Sequence, residues 1–255
     1  MICLSRTYQL ILFAACLAPV AALAQTAEPT PPKERTTSIG FRVRAFPVGS
    51  MSSMGDSTAM TTTMSPVYDW QFQTHAPWPT LGIGPAVEIG LGRRATITAE
   101  VLYQRLSYDK TTAIFSGGDD PNTANDERTR TTVTENTKAR LWDAPVVLHY
   151  SVRSHGPWSR MYVAGGGAFR TVSKIRTTHN TIFSNGDTAA DSNAATPASR
   201  NIFGAVIGVG FRFIDDFNIK STPEIRFTRW AGRTFDLDTT RSPVNQLEVG
   251  IGFTF

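Results

Sequence analysis

The last ten residues, QLEVGIGFTF (246–255), put Leu247, Val249, Ile251, Phe253 and Phe255 on one face. Gln246, Glu248, Gly250, Gly252 and Thr254 fall on the other. A repeat of two belongs to an extended strand, because a helix would distribute these side chains over about 3.6 residues per turn. One face is bulky and apolar without exception; the other mixes glycine with a carboxylate.

Seven earlier segments carry the same signature. SIGFRVRAF (38–46) sets Ile39, Phe41 and Val43 against Arg42 and Arg44. LGIGPAVEIGL (81–91) sets Ile83, Val87 and Ile89 against Glu88, and ATITAEVLYQRLSY (95–108) sets Ile97, Val101 and Tyr103 against Thr98, Glu100 and Gln104. ARLWDAPVVLHYSV (139–152) opposes Trp142, Val146, Leu148 and Tyr150 to Asp143 and His149. NIFGAVIGVGFRF (201–213) opposes Phe203, Ile207, Val209 and Phe211 to glycines and Arg212; TPEIRFTRW (222–230) opposes Ile225 and Phe227 to Glu224 and Arg226. RMYVAGGGAFRTV (160–172) is apolar on both faces and leaves its orientation open.

The connections alternate in length. Short turns are expected at Gly92 to Arg94, Arg153 to Pro157 and Asp215 to Asn218, and longer polar stretches at 47–78, 110–137, 178–199 and 233–244. Short turns on one side and long loops on the other are the habit of outer-membrane barrels. The expected fold is therefore all-β: an eight-stranded antiparallel up-and-down transmembrane β-barrel over residues 37–255. A soluble barrel with an apolar, ligand-binding interior is the competing architecture. It would turn the charged face to water and leave its lumen without a ligand determinant. Arg42, Glu88, Glu100, Asp143, Arg212, Glu224, Arg226 and Glu248 are instead expected to form an ionic network inside a narrow barrel, where both signs can pair. Glu100, Glu224 and Glu248 are expected to share Arg42, Arg212 and Arg226. Aromatic girdles are expected from Trp158, Tyr150, Phe253 and Phe255 at one rim and Trp78, Tyr108 and Trp230 at the other.

The chain start agrees with export. Arg6 precedes the apolar run YQLILFAACLAPVAAL, and Ala22-Leu23-Ala24 suits a signal peptidase, so residues 1–24 read as a signal peptide. A membrane anchor and a lipoprotein are the alternatives; the run is short for the first, and Phe13 is a poor opening residue for a lipobox before Cys16. QTAEPTPPKERT (25–36) reads as a flexible periplasmic lead-in. Both cysteines, Cys3 and Cys16, lie in the leader, so no disulfide framework or thiol site is expected beyond it. Among 255 residues, 41% are apolar and 18% charged, which excludes a chain disordered throughout. The formal charge of +4 is spread along the sequence and offers no linear basic cluster for nucleic acid.

These segments in this order resemble the PorT-like outer-membrane β-barrel domain family. The resemblance lies in AEVLYQRLSY, in LWDAPVVLHY with its carboxylate and proline before an apolar run, in MYVAGGGAF, in FGAVIGVGFRF and in a last strand ending on Phe255. It implies a bacterial outer-membrane location with outer-membrane lipid around the wall. The terminal Phe255 resembles the assembly signal read by the barrel assembly machinery. The family implies no catalytic residue.

Candidate chemistry is sparse. His149 and Ser151 share a strand face, as a base and nucleophile could. Outer-membrane lipid A deacylases have such a pair, but acyl chemistry needs a lipid-facing site, and this pair points inward. Met51, Met54, Met60 and Met64 could offer thioethers to Cu(I), though a plain mobile loop is the simpler reading. Asp119, Asp120, Asn122, Asn125, Asp126 and Glu127 match no calcium-loop spacing. The stretch NTIFSNGDTAADSNAATPAS (180–199) is expected to be disordered. The reading is a barrel without catalytic site, cofactor or metal, structural or displaying its loops to an extracellular ligand. A lipid-modifying enzyme and a narrow solute channel are the alternatives.

Overall fold

The computed structural model describes residues 36–47, 52–53, 58–61, 68–76, 80–92, 94–116, 129–152, 160–193, 196–215, 217, 219–237 and 240–255. The expected signal peptide, all but the last residue of the expected lead-in, Trp78, Trp158, the acidic stretch from Asp119 to Glu127, the turn expected from Arg153 to Pro157, and Met51, Met54 and Met64 lie outside the described residues. Met60 is described by its backbone alone.

Eight strands alternate in direction. They are β1 (Thr37–Phe46), β2 (Thr80–Gly90), β3 (Ala95–Glu100, resuming as Leu102–Ser116), β4 (Thr129–Ser151), β5 (Met161–Ile182), β6 (Asn201–Phe211), β7 (Lys220–Trp230) and β8 (Asn245–Thr254). Each pairs antiparallel with its sequence neighbours, and β8 pairs with β1 from Gly40↔Thr254 to Ala45↔Val249, so the sheet closes into a ring. Closure gives the backbone groups of these strands partners on both sides. Phe255 extends the seam, its N–H donating to the Ile39 carbonyl at 2.9 Å.

The repeat of two settles which face points inward. Arg42, Arg44, Glu88, Glu100 and Arg226 are buried, while Ile39, Ile83, Phe203, Ile207 and Ile225 are exposed on the outside. β5, whose orientation the sequence left open, turns Tyr162, Ala164, Ala168, Arg170 and Val172 inward. Tyr108 and Trp230, expected in a girdle, are corrected: both are buried. Tyr108 meets Phe235 edge-on at 6.0 Å, and Trp230 donates its Nε1–H to Gln246 at 3.2 Å. Each lies an even number of residues from an inward polar side chain, Gln104 or Arg226, so the repeat of two sends it inward too. Tyr103 and Trp142 stand outside instead, their rings 5.0 Å apart.

Strand lengths depart from expectation. β1, β2, β6, β7 and β8 span 10 or 11 residues, whereas β4 and β5 reach 23 and 22. Much of the stretches 110–137 and 178–199, expected as loops, is therefore strand. Tyr68–His75 pairs with the far half of β3, and Thr188–Asn193 pairs with the far half of β5, which corrects the disorder expected there. The turn between the last two is built by Ser184-Asn185-Gly186-Asp187: Gly186 takes φ 86°, and Asn185 Oδ1 accepts the Asp187 N–H. These outer segments are rich in threonine, a good strand former. The far halves of β4 and β5 and Thr188–Asn193 carry few bulky apolar residues, so no apolar alternation announces them.

Candidate functional site

The interior is a charge network supported by glycine. Arg42 sits between Gly84 of β2 and Gly252 of β8, and Arg44 between Gly82 and Gly250. Arg226 lies across from Gly208 on one side and Glu248 on the other. A Cβ at residue 250 would come within 2.9 Å of Arg44 Cγ, and one at 208 within 2.9 Å of Arg226 Cγ. Each arginine stem thus lies over backbone where any larger residue would collide.

Glu100 is the hub. Arg44 Nη2 donates to both its carboxylate oxygens, at 2.7 and 2.9 Å, and Arg226 Nη2 donates to Oε1 at 2.8 Å. Arg42 Nε is 3.4 Å from the same oxygen, while Arg42 Nη2 donates to Glu88 at 2.7 Å. Arg42 also donates to the Thr222 hydroxyl. Arg226 Nε reaches Glu224 Oε1 at 2.5 Å. Glu248 accepts from the Thr228 hydroxyl at 2.7 Å and from Gln246 Nε2 at 3.3 Å, with Arg44 Nη1 at 3.7 Å.

Gln246 joins this cluster to a second. Its Oε1 accepts from Arg170 Nη2 at 2.9 Å, and Arg170 holds Asp143 side-on through Nε and Nη2, both at 2.6 Å. Gln104 Nε2 donates to the same carboxylate at 2.6 Å, and the Arg170 guanidinium lies 4.1 Å from the Trp230 ring centroid. Among the described buried residues, five cations (Arg42, Arg44, Arg170, Lys220, Arg226) face five carboxylates (Glu88, Glu100, Asp143, Glu224, Glu248). That balance matters because an unpaired charge in such a place is costly.

Seven of the eight residues expected in the network are thus buried, and the structure gathers them. Arg212 sits at its margin: half-buried, its Nη1 is 3.4 Å from Thr96 Oγ1 and its guanidinium 5.9 Å from the Tyr162 ring centroid. Its strand has ended by then, since β6 stops at Phe211. The partner expected for Glu248 also changes. Arg44, two residues beyond Arg42 on the same face, is its nearest cation, because the β1–β8 register sets Arg44 opposite Gly250. Arg170 was missed because the Gly165-Gly166-Gly167 run hides the alternation of β5.

His149 is buried, its ring 4.6 Å from that of Tyr162, with Nδ1 3.3 Å from Thr98 Oγ1 and Nε2 3.8 Å from Glu224 Oε1. Among the described residues Ser151 is not one of its partners, and no group of three or more His, Cys, Asp or Glu is placed to hold a metal. Phe255 is half exposed at the end of the seam, next to β1. No protein-family model and no curated protein matches this chain.

Proposed function

We propose that the chain is a small transmembrane β-barrel of the bacterial outer membrane, structural in role or displaying its outer segments to an extracellular partner. The observation that carries this reading is the inversion of burial. Arg42 and Arg226 are each 1% exposed, while Ile39, Ile207 and Phe203 are 64%, 62% and 67% exposed. In water that arrangement exposes rows of Ile, Val, Leu and Phe on most strands, and an apolar face of that kind on a soluble monomer is unusual. In hydrocarbon the same wall is at home, and a closed ring leaves no unpaired strand edge. Strands of 10 or 11 residues are long enough to cross a bilayer when tilted.

The interior supports a plugged barrel over a solute channel. Eight strands leave room only for side chains, and the paired charges occupy it. The enclosed, doubly partnered His149 likewise favours a non-catalytic barrel over a lipid-modifying enzyme, which needs its base open to substrate. Outer-membrane lipid and, through Phe255, the barrel assembly machinery are the partners of this reading. Cell fractionation and gel mobility test it: the protein should sediment with outer membranes and migrate differently before and after boiling. A water-soluble chain whose mobility ignores heating would overturn it.

A further inference from the structure

The cations on the outer surface are spread along the sequence, but the ring collects five of them at one place. Arg105 of β3 lies directly across from Arg140 of β4, and Lys138 of β4 directly across from Arg176 of β5. Like charges opposite one another on a sheet repel. Between these two pairs the β4–β5 register slips, and there Lys174 adopts φ 50°. A left-handed backbone is unfavourable for lysine and easy for glycine. The chain therefore keeps a cation where geometry favours a residue without a side chain, and strain of this kind points toward function.

The surroundings define what would neutralise the group. All five side chains are exposed, and among the described residues none has a carboxylate partner. The nearby acids are engaged: Glu135 with Lys110 and His179, and Asp109 with Asn136. An open groove of about 700 Å³ is lined by all five cations together with Tyr103, Leu106, Ala139 and Ile175. Immediately toward the apolar wall stand Tyr103 and Trp142, followed along the outer face of β4 by Val146 and Leu148. Five cations just beyond an aromatic pair and an apolar wall match a molecule with phosphates at one end and acyl chains at the other.

We propose that the β4–β5 bulge, with Arg105, Lys138, Arg140, Lys174 and Arg176, binds the phosphate groups of an outer-leaflet glycolipid whose acyl chains lie along the wall beside Trp142. Arginine supplies paired donors that suit phosphate oxygens, and the acyl chains set the depth of the headgroup. The proposal rests on the membrane reading above.

The full chain inserted in phosphatidylcholine vesicles, alone or doped with lipid A, provides the test. Bisphosphorylated lipid A should bind and its dephosphorylated form should not; native mass spectrometry after detergent extraction reads the difference. Lys174→Gly relieves the backbone and removes one charge, so it should keep heat-dependent mobility and weaken binding about fivefold. Arg105→Gln with Arg140→Gln should weaken it about 25-fold, whereas Arg229→Gln, exposed on β7, should leave it unchanged. Equal binding of the dephosphorylated lipid, or of Lys174→Gly and the parent, would overturn the proposal. Displacement by millimolar inorganic phosphate would make this a small-anion site and overturn it as well. A chain that fails to enter vesicles at all would sink the membrane reading, and this site with it.

Discussion

Arg170 grips Asp143 side-on across the β4–β5 ladder, with two donors 2.6 Å from the two carboxylate oxygens. The two residues are direct cross-strand partners, so the contact needs no long-range coincidence. It is also where the buried network meets the closing strands, because Arg170 reaches Gln246 of β8.

Breaking this pair on one side should be far worse than removing both charges. Asp143→Ala leaves a buried guanidinium with, among the described residues, Gln246 and the Trp230 ring, and should cost about 3–5 kcal/mol. Asp143→Leu with Arg170→Leu removes both charges and should recover most of that loss. Unfolding midpoints in detergent give the comparison; a double variant no more stable than Asp143→Ala would show that the pair is not the source.

The outer wall offers a direct test of whether lipid or water surrounds it. Ile207 lies mid-strand in β6, exposed, between Phe227 of β7 and Gly165 of β5. If lipid covers it, Ile207→Arg should destabilise the folded chain in vesicles by about 2–4 kcal/mol. On a water-facing surface the same change should fall within about 0.5 kcal/mol of neutral. Tryptophan fluorescence during urea unfolding in vesicles distinguishes the two, and a neutral result removes the main support for the membrane reading.

What the sequence discloses and conceals follows from one physical fact. The repeat of two shows only where the faces differ in polarity. β1, β2 and β6 to β8 combine an apolar outer face with an inner face of glycine and charge, and their bounds could be read to within two residues. Glu88, Glu100 and Glu248 were recognisable as inward on the same ground. The far halves of β4 and β5 carry few bulky apolar residues, and that of β3 has its apolar residues in one run, Ala113-Ile114-Phe115, so 110–116, 129–137 and 178–182 passed for loop. Arg170 was concealed by three glycines, and the partner of Glu248 by a register that only the paired strands define. The cation cluster at the β4–β5 bulge draws on three separate strands and has no linear signature.

Glycine on the inner face is a packing requirement. A Cβ at Gly252 would run into the Arg42 guanidinium, which already bonds Glu88 and Thr222. Gly252→Val should therefore overpack the interior and cost about 1–3 kcal/mol or more. Gly186→Val, in the outer turn, meets nothing within 4 Å and should affect only the local φ of 86°. Thermal unfolding followed by the heat-dependent gel shift ranks them; a less damaging change at 252 than at 186 would contradict the packing described.

The chain terminus offers a test of assembly apart from stability. Phe255 is 49% exposed, and its side chain contributes to the wall while its N–H closes the seam onto Ile39. Deleting it removes one hydrogen bond, a net contribution of about 1 kcal/mol, and some apolar area at the rim. Phe255→Asp keeps the backbone bond and adds a charge near the proposed lipid boundary, where the cost is about 0–1 kcal/mol. Neither loss approaches the effect of breaking the Glu100 hub, so both variants should refold in detergent with nearly parental midpoints. If the barrel assembly machinery reads Phe255, as proposed, both variants should accumulate unassembled in cells. The ratio of folded to unfolded protein in outer-membrane fractions, set beside the refolding midpoint, reads the two effects separately. Parental assembly of both variants in cells would remove Phe255 from the assembly signal, and a collapse of both in detergent would make its role structural instead.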